Sequence, residues 1–379
     1  MSRRTAMLVV GFSVALAGCA DRAPPAPAHS GADDEAAARP TPVIAPSNPG
    51  ATRLDVVDAV VERTVPTDGP GAVVLVAQDG VIVHEAAYGM ADLERKQPME
   101  VGSAFNLASC SKQFTAHAVA LLVERGQLSL DDDVRKYIPE LPVYDKKRPI
   151  QLRDLVYMIA GLPEYFELFD ELTTETNDAI VSALAKQSEL AAPTGTKYEY
   201  SNSAYVMLAT VVQRVSKKSF GDFLGESIWR PAGMTHTHLE RLGDDTVQGY
   251  ARSDAGAWEI DRDPTPGVVG DGGVVSTVED LYKYDQAMRA DKLVKQSTKE
   301  LMLAPGKLDS GAPLDYAFGL MLWEEEGERV AWHDGSWNGT ATYFARHQEQ
   351  NRVVVVLMNQ TDAEAAELGS AIEEAIDAE

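Results

Sequence analysis

Apolar residues recur along the chain with two different spacings. They follow a helical period over residues 53–65, which predicts a helix. Residues 72–77 and 81–89 are rich in valine and alanine and flank an Asp79-Gly80 dipeptide that favours a tight turn. This part of the chain is therefore predicted to form a helix followed by a β-hairpin.

Strand patterns return near the C-terminus after a long helical stretch. Between about residue 105 and residue 300 the pattern is mostly helical with long loops. An antiparallel sheet can recruit strands from both chain ends, with the terminal helices covering it. We therefore predict an α/β (α+β) fold with such a sheet, flanking terminal helices and a mostly helical inserted region. The predicted C-terminal strands are 316–323, 329–333, 340–346 and 353–358, and the last helix is 363–378.

The first residues have the pattern of a signal peptide. Two arginines precede the apolar run 6–16, which is shorter than the roughly 20 residues that span a bilayer. The run ends in Leu16-Ala17-Gly18-Cys19, which resembles a bacterial lipobox. This resemblance implies lipidation of Cys19 and a cell-envelope location, at the outer membrane facing the periplasm. The alternative is a plain secretory signal whose cleavage site lies beside a cysteine.

The predicted domains are a signal peptide (1–18), a tether (19–51) and a folded domain (52–379). The tether is rich in proline and alanine and lacks aromatic residues, so it cannot bury enough surface to order itself. Lys plus Arg number 34 against 58 Asp plus Glu, a net charge of -24. A chain this acidic is repelled by phosphates, so no nucleic-acid partner is expected and membrane contact is assigned to the lipid.

Ser109 and Lys112 form an S-x-x-K tetrapeptide. Three residues are nearly one helical turn, so both side chains would lie on one face, with the amine placed to take the serine proton. The tetrapeptide alone is a weak signal, because it also arises by chance on exposed helix faces. The residues around the tetrapeptide are strongly apolar, however, so Lys112 is expected to be buried. A lysine is rarely buried unless it has a partner or a function, which is the reason sought here.

Two further segments supply that reason. Tyr200-Ser201-Asn202 lies in a turn-rich loop before a helical run, and His333-Asp334-Gly335 ends a predicted strand. In this order the three segments resemble the serine β-lactamase and penicillin-binding protein superfamily. The branch most resembled is related to class C β-lactamases and includes esterases, D-aminopeptidases and D,D-carboxypeptidases. Residues 150–165, 228–234 and 270–281 match its style as well.

The resemblance implies catalytic roles for the matching residues. Ser109 would be the acylated nucleophile and Lys112 its base partner. Tyr200 would shuttle the proton, which requires a pKa well below the usual value of about 10, as two nearby cations could produce. Asn202 would orient the substrate and Lys112, and His333 would take the place of the third-motif cation.

The resemblance also implies an oxyanion hole. It would consist of the backbone N–H groups of Ser109 and Ser336, with Gly335 in the same segment. No cofactor and no metal are expected: the pair His236 and His238 lacks further ligands at metal spacing and is interpreted as a surface loop.

Three positions modify this interpretation. His333 stands where β-lactamases usually carry lysine, and a mostly neutral imidazole holds a β-lactam carboxylate less well. Met158-Ile159-Ala160 replaces the His-Thr-Ser that often occurs in this branch, which puts the polarity of the pocket in doubt. Cys110 follows Ser109 but points about 100° away on a helix, so it is interpreted as a small buried residue.

The function expected from the sequence is a serine hydrolase that cleaves ester or amide bonds through an acyl-enzyme on Ser109. D-peptide and β-lactam bonds fall within that class. One alternative is a peptidoglycan D,D-peptidase or a weak class C-like β-lactamase. A second is a catalytically inactive, lipid-tethered binding protein, which would not need all four of Ser109, Lys112, Tyr200 and Asn202.

Overall fold

A computed structural model describes residues 54–169, 175–241, 246–325 and 327–378. Cys19, the predicted signal peptide and the predicted tether lie outside the described residues. Elements in chain order are α1 (Asp55–Thr64), β1 (Ala72–Gln78), β2 (Val81–Tyr88), β3 (Met90–Asp92), β4 (Gln97–Pro98), β5 (Phe105–Asn106), α2 (Lys112–Glu124), α3 (Leu152–Val156), α4 (Asn177–Leu184), α5 (Asn202–Ser216), α6 (Phe220–Leu224), α7 (Arg230–Ala232), β6 (His238–Leu239), β7 (Tyr250–Arg252), β8 (Trp258–Ile260), β9 (Val274–Ser276), α8 (Val278–Arg289), α9 (Gln296–Met302), β10 (Met321–Glu325), β11 (Glu328–Trp337), β12 (Thr340–His347), β13 (Arg352–Met358) and α10 (Ala365–Asp377).

The largest sheet of the described chain joins the two chain ends. Its six strands lie in the order β10-β11-β12-β13-β1-β2, and every neighbouring pair is antiparallel. Strand β1 from the N-terminal part pairs with strand β13 from the C-terminal part inside this sheet, with Ala72 opposite Met358 and Gln78 opposite Arg352. The predicted fold class is confirmed: both ends supply strands, and a mostly helical region is inserted between them.

The alternation of side chains along β1 separates two cores. Val74 and Val76 pack with residues of the terminal helices α1 and α10, whereas Val73 and Leu75 belong to the core that contains the inserted helices. All four of these side chains are fully buried, which explains why the sequence of this strand is a continuous apolar run and does not alternate with polar residues. Helices therefore cover both faces of the sheet.

Two strands, β10 and β11, differ from the sequence prediction by more than one residue at an end. The predicted strand 316–323 begins only at Met321, because the chain bends at Gly319, whose φ is +69° and whose Cβ would lie 2.5 Å from the carbonyl oxygen of Lys112. Strand β11 continues past the predicted end at His333 because it pairs with β12 as far as Trp337 opposite Thr340. His333 consequently lies inside a strand rather than at its end.

The inserted region positions the elements of the candidate site. Helix α5 begins at Asn202, earlier than the helical run recognised in the sequence, because the Ser201 hydroxyl accepts the backbone N–H of Ala204 at 3.1 Å and caps it. Short strands β5, β9 and β6 form a small sheet that the sequence prediction missed. Among the described helices, none combines the length and apolar character needed to cross a membrane.

Candidate active site

Ser109 lies on a short 3₁₀ turn, Ala108–Ser111, directly before helix α2. The preceding residue Ala108 has a φ of +45°, a left-handed conformation that costs energy for a residue with a Cβ. Neighbouring bonds hold the turn: the Ala108 N–H donates to Asn106 Oδ1 at 2.8 Å, and Thr342 Oγ1 donates to the Leu107 carbonyl at 2.9 Å. The serine is thereby presented, partly exposed, from a rigid and strained turn.

The Lys112 ammonium nitrogen is fully buried and has three oxygen neighbours. Nζ lies 3.0 Å from Ser109 Oγ, 2.8 Å from Asn202 Oδ1 and 2.7 Å from the backbone carbonyl of Asp271. Burial lowers the pKa of Lys112 to about 8, a shift that the nearby carboxyl groups of Asp271 and Glu164 partly oppose. The structure therefore places a lysine that loses its proton readily beside the serine hydroxyl.

Tyr200 lies beside Lys112, and the Ser109 side chain acts to lower the pKa of its phenol. Its ring centroid lies 4.8 Å from Lys112 Nζ. Burial raises the Tyr200 pKa well above 10, and the carboxyl groups of Asp334 and Asp271 raise it further. The expected low pKa is therefore wrong for this structure: one cation, Lys112, lies beside the phenol, and the second expected cation, His333, is neutral.

His333 is buried between aromatic rings in strand β11. Its side chain is 1% exposed, and its ring centroid lies 6.1 Å from those of both Tyr200 and Tyr316. Burial lowers the His333 pKa to about 4, so the ring is neutral at neutral pH. Nδ1 contacts the Asp334 carbonyl oxygen, which assigns the ring proton to Nδ1, and Nε2 has no protein partner within the described residues.

Gly335 brings strand β11 against the Ser109 turn. A Cβ at Gly335 would lie 2.8 Å from the Ser109 backbone nitrogen and 2.7 Å from the Leu107 carbonyl. The next residue, Ser336, is exposed. The two segments assigned to the oxyanion hole are thus in contact, and only a glycine allows that approach.

Sequence reasoning missed Glu164, Tyr165 and Asp271. Glu164 Oε2 accepts the backbone N–H of Asn202 at 3.0 Å, and the Tyr165 hydroxyl donates to Asp271 Oδ2 at 2.9 Å. Both segments carried a signal, since residues 150–165 and 270–281 matched the style of the branch. No residue in them was singled out, because their contacts with Asn202 and Lys112 span large sequence separations.

Cys110 and the Met158-Ile159-Ala160 segment contribute no reacting group. The Cys110 thiol donates to the His333 carbonyl at 3.0 Å, and burial raises its pKa to about 12, so it is a poor nucleophile. Met158-Ile159-Ala160 is buried, and the carbonyls of Met158 and Ile159 accept the N–H groups of Glu199 and Gly195. This loop therefore supports the segment that leads to Tyr200. Within the described residues, no three His, Cys, Asp or Glu side chains form a group that could hold a metal ion.

Comparison with known proteins decides the family. A sequence profile described as beta-lactamase matches residues 57–376. The chain belongs to the beta-lactamase family. Penicillin-binding protein 4* of Bacillus subtilis is 32% identical over 311 residues, covering 76% of this chain and 68% of that protein. A D-aminopeptidase of Cereibacter sphaeroides is 30% identical over 311 residues, covering 79% of this chain but only 58% of that protein.

Solved structures share the fold. The octameric penicillin-binding protein homologue from Pyrococcus abyssi superposes with a TM-score of 0.77 at 24% identity, covering 86% of this chain and 77% of that one. EstCE1, a hydrolase with promiscuous acyltransferase activity, gives a TM-score of 0.73 at 23% identity, covering 85% of this chain and 97% of that one. These comparisons confirm the predicted family: the chain is a serine hydrolase of the beta-lactamase family, related to class C. The substrate, the individual site roles and the lipid anchor stay predictions.

Proposed function

We propose that this chain hydrolyses esters or amides that carry no carboxylate at the position facing His333, through an acyl-enzyme on Ser109. The observation that carries the proposal is the 3.0 Å contact between Lys112 Nζ and Ser109 Oγ, with the Lys112 pKa lowered to about 8. A free amine at this distance can accept the serine proton, and the hydroxyl needs such a base.

The proposed reaction has two stages. Neutral Lys112 takes the Ser109 hydroxyl proton as Oγ bonds to the substrate carbonyl carbon, and the backbone N–H groups of Ser109 and Ser336 stabilise the oxyanion. When the intermediate collapses, the bond to the alcohol or amine leaving group breaks and that group receives the proton by way of Tyr200. A water molecule then adds to the acyl carbon and gives a proton to Lys112. The bond between the acyl carbon and Ser109 Oγ breaks, Oγ takes the proton back from Lys112, and the carboxylic acid leaves.

Charge near the site supports a substrate without a carboxylate. Lys112 is the cation beside Ser109, and Asp271, Glu164 and Asp334 all act on it electrostatically. A neutral His333 with an acceptor nitrogen cannot replace the ammonium that would bind a β-lactam carboxylate. Short neutral esters lose nothing by this arrangement, and the ammonium group of a substrate is attracted by these carboxyl groups when they are ionised.

A second candidate is a hydrolase of amides bearing a free amino group, such as D-amino acid amides. The surrounding acidic groups favour it, and the similarity to the D-aminopeptidase is consistent with it. The alternatives of a D,D-peptidase or a weak β-lactamase require recognition of a substrate carboxylate, for which His333 is poorly suited. The lipid-tethered, inactive alternative leaves the Ser109–Lys112–Asn202 contacts without a use.

The test combines labelling with kinetics. The protein is treated with a fluorophosphonate and its intact mass is measured; Ser109 should be modified, with loss of fluoride. Hydrolysis of p-nitrophenyl butyrate, D-alanine p-nitroanilide and nitrocefin is then compared. Ser109→Ala should lower ester hydrolysis by about 10³-fold or more, whereas Cys110→Ser should retain it. Full activity in Ser109→Ala, with loss in Cys110→Ser, would reassign the nucleophile to Cys110.

We also propose that the protein is held at the bacterial cell envelope by a lipid on Cys19. The support is the Leu16-Ala17-Gly18-Cys19 sequence and the short apolar run before it. A proline-rich tether of the kind found at 19–51 would keep the catalytic domain away from the membrane surface.

A further inference from the structure

Two residues that touch neither the nucleophile nor a substrate-binding atom connect the groups that hold Lys112. We propose that Glu164 and Tyr165 are positioning residues that fix Asn202 and Asp271, the two residues whose oxygens accept hydrogen bonds from Lys112 Nζ and hold it beside Ser109. This inference rests on the proposed function, because it assigns a role in activating the same serine.

Glu164 holds Asn202. Its Oε2 accepts the backbone N–H of Asn202 at 3.0 Å, and the Asn202 side-chain oxygen accepts from Lys112 Nζ at 2.8 Å. Asn202 is the first residue of helix α5, where unpaired N–H groups and the helix dipole favour a carboxylate. One carboxyl group therefore sets the position of one of the lysine's partners.

Tyr165 holds Asp271. Its hydroxyl donates to Asp271 Oδ2 at 2.9 Å, and the Asp271 carbonyl accepts from Lys112 Nζ at 2.7 Å. Tyr165 is 2% exposed and Asp271 is 8% exposed, so neither group can exchange its partner readily for water. Asp271 lies between Gly270 and Gly272, and the Gly270 carbonyl accepts from the Thr115 hydroxyl at 2.6 Å, so Tyr165 adds a second attachment to a glycine-rich loop.

The backbone of Glu164-Tyr165 is itself held against helix α5 by hydrogen bonds. The Tyr165 N–H donates to Ser203 Oγ at 2.8 Å, and the same hydroxyl donates to the Pro163 carbonyl at 2.7 Å. Residues 163–165 thus bridge the start of α5 and the Gly270 to Gly273 loop. A bridge of this kind transmits a small displacement of either element to the position of Lys112, where about 1 Å can cost roughly 10²-fold in rate.

Glu164 also acts on the charge of Lys112. Burial raises the pKa of Glu164 to about 7, and Lys112 opposes that rise. Replacing Glu164 by glutamine keeps an oxygen acceptor for Asn202 but removes the negative charge, so the Lys112 ammonium is less favoured and its pKa falls. The groups that face or act on Lys112 are Ser109, Cys110, Glu164, Tyr200, Asn202, Tyr205, Asp271, His333 and Asp334.

The experiment measures the rate of fluorophosphonate labelling of Ser109 as a function of pH. In the wild type the rate should rise with a midpoint near the Lys112 pKa of about 8. Glu164→Gln should move this midpoint down by about half a pH unit or more. Tyr165→Phe should lower the plateau rate by about tenfold. Glu167→Gln is the matched control, since Glu167 is exposed in the same turn, Tyr165–Leu168, and should change neither.

The outcomes separate the two proposals. If wild-type Ser109 is labelled and both variants keep the wild-type midpoint and plateau, the positioning role is wrong and the proposed function stands. If Ser109 is not labelled in the wild type, the proposed function fails. Thermal denaturation of each variant excludes unfolding as the cause of a lower rate. Should Tyr165→Phe fail to fold, Asp271→Ala removes the acceptor of the same hydrogen bond and keeps the backbone carbonyl that Lys112 contacts. An unchanged plateau rate in that variant would overturn the role of Tyr165.

Discussion

Gly335→Ala tests whether close contact between strand β11 and the Ser109 turn matters for catalysis. The added Cβ would lie 2.6 Å from Thr342 Oγ1, 2.7 Å from the Leu107 carbonyl and 2.8 Å from the Ser109 nitrogen. Favourable contacts of carbon begin at about 3.5 Å, so the strand and the turn must separate by several tenths of an ångström. The turn cannot yield freely, because Thr342 Oγ1 already donates to Leu107 at 2.9 Å.

The magnitude follows from the geometry of the oxyanion hole. Its two N–H donors would come from Ser109 on the turn and Ser336 on the strand. Moving the strand away from the turn therefore changes the distance between the two donors. Loss of one such donor costs about 10²–10³-fold in kcat, or about 2.7–4 kcal/mol. Partial misalignment should therefore lower kcat by about 10²-fold. Crowding of this kind also costs about 1–3 kcal/mol of folding stability.

Hydrolysis of p-nitrophenyl butyrate by the folded variant, at temperatures well below its unfolding midpoint, measures the effect. Gly102→Ala is the matched control, since a Cβ at Gly102 meets nothing within 4 Å, and its kcat should stay at the wild-type value. Wild-type kcat in Gly335→Ala, with an intact fold, would refute the reasoning and move the oxyanion-binding groups away from this contact.

Three further predictions concern pH, substrate choice and anchoring. Ester hydrolysis should rise with pH around the Lys112 pKa of about 8, because only the free amine accepts the Ser109 proton; a pH-rate profile without a titration in that region would contradict this role. His333→Lys should raise the β-lactam to ester ratio of kcat/KM by roughly 10- to 150-fold, the value of one charged hydrogen bond of about 1.5–3 kcal/mol. Lowering the pH towards the His333 pKa of about 4 should raise the same ratio in the wild type. If the wild type hydrolyses nitrocefin faster than any simple ester, and His333→Lys leaves the ratio unchanged, carboxylate recognition lies elsewhere. In a bacterial host, Cys19→Ala should abolish incorporation of labelled fatty acid, and a native protein without lipid would show the anchor to be absent.

The framework of the fold could be predicted from local patterns. Valine-rich runs flanking Asp79-Gly80 indicate a hairpin because strand preference and turn chemistry act over a few residues. The three-residue spacing of Ser109 and Lys112 predicts a shared face for the same reason. The predicted length of strand β11 is too short, because its last residues adopt strand structure only through their pairing with β12.

The electrostatics of the site could not be predicted in this way. The sequence suggested a lowered Tyr200 pKa from neighbouring cations, but the pKa of a side chain depends on all the groups packed around it. In the structure burial raises the Tyr200 pKa, and His333 contributes no positive charge at neutral pH.

The sequence by itself determined which chemical groups are present, their order along the chain and the local elements that carry them. Only the tertiary structure decided which distant groups meet: Lys112 with Asn202 and Asp271, and Gly335 with the Ser109 turn. The physical reason is that hydrogen bonds and burial act over a few ångströms in space, whereas these residues are separated by tens to hundreds of positions in the chain.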